Sequence, residues 1–149
     1  MNTCPALSNA DQVREVAHSF FRIADLLHRR LNAGPTQSAE ASASTDLYRL
    51  LVEEYGLRSR AAILLNDAGA HIINNATLSQ QALLELLANS GAYISQEPSP
   101  QRLRSLVASV NTLCAGISPD KGHVIDYLAK ELRQDLQGVH PRSDSPKQK

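Results

Sequence analysis

The chain has 149 residues, enough for one folded domain but short for two independent ones. It carries 15 basic and 15 acidic side chains, so it lacks the net charge that would attract nucleic acid or an anionic membrane. Its apolar residues are mostly Leu (21) and Ala (19), which favour helices over strands. We therefore predict an all-α protein, with five to six helices in a small bundle-like or orthogonal helical domain and no sheet.

The two cysteines, Cys4 and Cys114, form neither a disulfide framework nor a CxxC redox pair. We expect Cys4 to lie in a frayed N-terminus and Cys114 on the apolar side of a helix. The N-terminus has no signal-peptide pattern, and no apolar run is long enough to span a bilayer. These features predict a cytoplasmic protein that does not bind membranes.

Residues 1–33 are predicted to be an N-terminal amphipathic helical arm. Apolar side chains recur there at spacings of three and four, which places them on one face of a helix. They are Val13, Val16, Ala17, Phe20, Ile23, Ala24, Leu27 and Leu31. Gly34-Pro35 ends the helix. Residues 34–44 contain no large apolar side chain and are rich in Ser and Ala, so we predict a flexible linker.

Residues 45–137 are predicted to form the helical body. A helical period runs to about Asn74, and Gly56 interrupts it, so one long helix and two shorter ones are both open. Glu54 and Arg58 are four residues apart across Gly56, and such a pair favours one helix.

Serine caps mark the later helices. Ser79 begins a leucine-rich helix, which we expect to end at Ser90-Gly91. Ser99-Pro100 and Ser118-Pro119 each place a cap residue before a proline at the first helical position. These two signals predict helices from Pro100 and from Pro119.

The last predicted helix ends near Leu136, and an Asp126–Lys130 pair should support it on the outside. Residues 138–149 are polar, include two prolines and show no periodicity. We predict that they form a disordered tail.

Catalytic and metal-binding signatures are absent from the sequence. His123 lies three residues from both Asp120 and Asp126, but a zinc site needs three or four ligands, commonly nitrogen or sulfur. There is no nucleophile elbow, no glycine-rich phosphate loop and no zinc-hydrolase motif. We therefore predict a protein that is not an enzyme, with no catalytic residue, no cofactor and no metal.

The helix from Pro100 offers a candidate DNA-contacting face, which consists of Gln101, Arg102, Arg104, Ser105 and Asn111. Two features oppose this interpretation. The predicted connection from Gly91 to Ser99 is longer than the turn of a helix-turn-helix unit, and residues 46–137 carry ten acidic and eight basic side chains.

The arm is the strongest candidate for an interaction surface. Phe20 and Phe21 are the only phenylalanines, and both lie on it. The arm either packs on its own body or docks on a second protomer or another partner. The candidate interface residues are Val13, Phe20, Phe21, Ala24, Leu27 and Leu31.

The sequence thus predicts a non-enzymatic protein-interaction or regulatory module that acts through leucine-rich helix faces. We expect it to self-associate as a homodimer or to bind another protein. Two alternatives stay open at this point. One is a helical DNA-binding transcriptional regulator, and the other is an adaptor or chaperone for a larger assembly.

Overall fold

The computed structural model describes residues 4–32 and 41–137. Within these ranges the chain forms five α-helices and no sheet, which confirms the all-α prediction. The helices are α1 (Ala10–Asn32), α2 (Ala41–Asn66), α3 (Gln80–Gln96), α4 (Pro100–Ala115) and α5 (Gly122–Gln137), and a short 3-10 helix, Ala68–His71, follows α2. The predicted linker falls outside the described residues at positions 34–40, as does the predicted tail, 138–149. Residues 41–44 were assigned to the linker, but they form the first turn of α2.

α1 lies at the centre of the fold, because it packs against both α2 and α3 and also contacts the 3-10 helix. Seven of its residues are at most 2 % exposed, namely Val13, Val16, Ala17, Phe20, Ile23, Ala24 and Leu27. Burial of a large apolar side chain stabilises a fold by about 1.5–3 kcal/mol. The predicted arm is therefore a core helix that packs on its own body.

The residues before α1 are held against the loop that precedes α3. Pro5 forms an isolated antiparallel bridge with Ser79. The N–H of Gln80 donates to the carbonyl oxygen of Cys4 at 2.8 Å. The side chain of Cys4 is exposed, but its backbone is fixed, so the prediction of a frayed N-terminus at this residue is wrong.

The buried amide of Gln80 ties three parts of the chain together. Its Oε1 accepts the N–H of Leu7 at 2.9 Å, and its Nε2 donates to the carbonyl of Gln12 at 3.1 Å and to Glu15 Oε1 at 2.9 Å. Leu7 has a φ of 62°, which is uncommon for a residue other than glycine, and it is fully buried. This hydrogen bond thus satisfies a buried backbone donor in a turn that costs conformational energy.

α3 continues to Gln96, so the prediction that it ends at Ser90-Gly91 is wrong. Both residues are buried within the helix. A Cβ at Gly91 would lie 2.8 Å from Leu26 Cδ1 of α1. Glycine at this position lets α1 and α3 approach closely, which is a tertiary role that a sequence pattern does not distinguish from a helix end.

α2 is one continuous helix through Gly56, but it ends at Asn66, earlier than the predicted end near Asn74. The Glu54–Arg58 pair that favours continuity forms, with 2.9 Å between Arg58 Nε and Glu54 Oε2. The polypeptide then leaves the helix at Asp67 and turns once more in the 3-10 helix.

α5 begins at Gly122 rather than at Pro119 as predicted. Asp120 has a φ of 67°, a left-handed conformation that cannot continue a helix. The N–H of Gly122 donates to Asn75 Oδ1 at 3.1 Å. A Cβ on Gly122 would lie 2.5 Å from the carbonyl carbon of Asn75, so only glycine fits where the loop crosses the start of α5.

Asp126 fixes the same loop from the next turn of α5. Its carboxylate accepts the N–H of Thr77 at 3.0 Å, the hydroxyl of Thr77 at 2.9 Å and the N–H of Leu78 at 3.0 Å. The predicted Asp126–Lys130 ion pair does not form, because the carboxylate is used for this tertiary contact.

We predict that Gly122→Ala lowers the free energy of unfolding by about 1–3 kcal/mol, because the added methyl group overlaps backbone atoms of Asn75. Gly69→Ala is the matched control, since a Cβ at Gly69 meets nothing within 4 Å. Urea unfolding followed by circular dichroism measures both variants. Equal stabilities for the two variants would contradict the close contact between the loop and α5.

Candidate protein-interaction surface

The structure places the predicted interface residues together on the inner side of α1. Val13, Phe20, Ala24 and Leu27 are fully buried there, and Phe21 and Leu31 are half-buried against the same core. Their neighbours are α2 and α3 of the same chain. This stripe is therefore not a surface that a partner reaches in the folded chain.

The exposed large apolar side chains are concentrated on a different helix. Five of them lie within nine residues in the first half of α2, and they are Leu47, Tyr48, Leu51, Val52 and Tyr55. We call these five residues the α2 face. Tyr48 is 68 % exposed and Tyr55 is 74 % exposed. Scattered exposed apolar residues are normal on a monomer, but a contiguous patch marks an interaction site.

α2 is apolar on two opposite sides. Its inner side buries Leu50, Leu57, Ala61 and Leu64, at spacings of seven, four and three that place them on one helix face. Val52 and Tyr55 are offset from that stripe and lie on the outer side. A helix that is apolar all round is normally buried all round. Within the described residues the inner side of α2 is covered, and the large apolar side chains on its outer side are exposed.

The sequence contained this signal, but in an ambiguous form. Leu47, Leu50 and Leu51 all fit one helical period, and the pattern alone does not show which of them faces inwards. The tertiary structure decides the matter, because Leu50 is buried whereas Leu47 and Leu51 are exposed.

An ion-pair network holds α2 against α1. Glu54, only 6 % exposed, accepts Arg58 Nε at 2.9 Å through Oε2 and lies 3.1 Å from His28 Nδ1 through Oε1. Arg58 also reaches Asp25 of α1, with 2.9 Å between Nη1 and Oδ1. Because Glu54 is nearly enclosed, these partners replace the water that its charge would otherwise need.

A second polar network joins α2 to α4. Asn111 Nδ2 donates to the carbonyl oxygen of Glu53 at 3.0 Å and to Glu53 Oε1 at 2.7 Å. Arg60 Nη1 donates to Asn111 Oδ1 at 3.1 Å. The two networks fix the rotation of α2 about its axis, and they thereby keep the α2 face turned towards solvent.

The α2 face continues into an open groove of about 510 Å³ between α2 and α4. Its α2 wall is formed by Tyr48, Arg49, Val52 and Glu53, and its α4 wall by Gln101, Arg104 and the small side chains of Ser105 and Ala108. Small residues on one wall leave room for side chains of a partner to enter. The groove therefore adjoins the α2 face and combines apolar with charged side chains.

Two further grooves of similar size lie elsewhere on the surface. One, of about 520 Å³, runs between α1 and α3, and the other, of about 480 Å³, runs between α3 and α5. Like the groove between α2 and α4, the first is bordered by charged or titratable side chains, here Glu15, His18 and Arg22. Neither has a neighbouring helix with a cluster of exposed large apolar residues like the α2 face.

Among the described residues, the side chains that could act as a nucleophile or bind a metal ion include Cys114, which is a buried thiol. Burial raises the pKa of the Cys114 thiol to about 12, although the nearby charge of Arg60 lowers it in part. A thiol with that pKa is protonated at neutral pH and is a poor nucleophile. Within residues 4–32 and 41–137, no group of three His, Cys, Asp or Glu side chains is arranged to hold a metal ion.

The candidate DNA-contacting face is only partly available. Gln101, Arg102 and Ser105 are exposed, but Asn111 is buried and bonded to α2. The connection between α3 and α4 is residues 97–99, three residues instead of the long connection predicted from the sequence. That length suits a helix-turn-helix turn, so one of the two objections to this interpretation does not hold.

Comparison with known proteins does not assign the chain to a family, since no family model, curated protein or solved structure matches it. Among the helices of the described residues, none is sufficiently long and apolar to cross a membrane.

We predict that Arg58→Met lowers the free energy of unfolding by about 1–3 kcal/mol, because it leaves the enclosed carboxylate of Glu54 with His28 alone. Methionine preserves the apolar stem of the side chain. Arg14→Met is the control, since it breaks the exposed Arg14–Asp11 pair and should cost about 0.5 kcal/mol or less. If thermal and urea unfolding show equal losses, the network does not hold α2 in place.

Proposed function

We propose that this chain is a non-enzymatic protein-interaction module with a regulatory role, and that the α2 face is its docking surface. The observation that carries the proposal is the cluster of five exposed apolar side chains on a helix whose opposite side is already in the core. A partner, either a second copy of the chain or another protein, would cover this cluster.

The chemistry of docking is burial of apolar surface around two aromatic anchors. Tyr48 and Tyr55 combine a large ring with a hydroxyl group that can stay at the wet edge of an interface. Aromatic anchors of this kind often dominate binding energy. The adjoining groove between α2 and α4 suits a partner helix that inserts side chains beside Ser105 and Ala108.

Rigidity of the surface supports the same proposal. Glu54, Arg58 and Asn111 hold α2 in place through bonds to α1 and α4. A preformed surface loses less conformational entropy on binding than a mobile one. The α2 face is thus arranged to bind before any partner is present.

The proposal that the chain is not an enzyme has two supports. The buried thiol of Cys114 has a raised pKa. His28 is bonded to Glu54, and His71 is bonded to the carbonyl oxygen of Asp67.

A cytoplasmic location is likewise a proposal, and it is supported by two free cysteines, Cys4 and Cys114, as expected in a reducing compartment.

The adaptor or chaperone alternative uses the same α2 face and differs only in the partner. A DNA-binding regulator is favoured by the three-residue connection between α3 and α4 and opposed by the burial of Asn111. Support for that alternative would require salt-sensitive binding of duplex DNA that is lost in Arg102→Glu.

We predict that a photo-reactive benzoylphenylalanine at position 48 forms a protein adduct in the cells from which the chain comes. The same residue at position 127 is the control, because Tyr127 is 60 % exposed but lies on α5, away from the α2 face. Denaturing electrophoresis of the irradiated cells measures the adduct.

Val52→Glu places a charge on the α2 face and should abolish the adduct at position 48 without unfolding the chain, since Val52 is 53 % exposed. Absence of any adduct at position 48, or equal adducts at positions 48 and 127, would contradict the proposed function.

A further inference from the structure

We draw no further inference here: the strongest candidate, the apolar α2 face together with the groove that adjoins it between α2 and α4, belongs to the surface already described, and nothing in the structure shows what covers it.

Discussion

The burial of α1 between α2 and α3 is the constraint on which the rest of the structure depends. Phe20, Ala24 and Leu27 fill the space between these two helices, and Gly91 lets α3 approach α1 closely. The residues before α1 are tied to the start of α3 through Gln80. α1 therefore joins α2 to α3, while α4 packs on α2, α3 and α5.

This central position determines which side of α2 is left open. α2 has apolar residues on opposite sides, and α1 covers the side that carries Leu50 and Leu57. The networks of Glu54 and Asn111 then prevent the helix from rotating to bury the other side. The exposed Tyr48 and Tyr55 are thus a consequence of how the core is built.

Local signals in the sequence predicted the local structure well. The all-α class, the stripe on α1, the caps at Ser79 and Ser99 and the Glu54–Arg58 pair are all present in the structure. These features depend on neighbours within one or two helical turns, so periodicity and capping rules describe them.

Several of the predictions that failed concern residues whose role is tertiary. Gly91 was interpreted as a helix end, but it lies within α3 against Leu26 of α1, and Gly122 was passed over, but it is needed where the backbone of Asn75 crosses closely. The candidate interface failed for a related reason, because an apolar stripe on α1 looks the same whether it faces its own body or a partner. Only the arrangement of the helices shows that α1 is enclosed and that Tyr48 of α2 is not.

Native-state hydrogen exchange, followed by mass spectrometry, tests the central position of α1 most directly. If α1 is the core of the fold, its amides between Val13 and Leu27 should exchange only with global unfolding, together with those of α3. If α1 instead exchanges ahead of α2 to α5 while these helices stay protected, it is a detachable arm. That result would contradict both the assigned core and the reason given for the open side of α2.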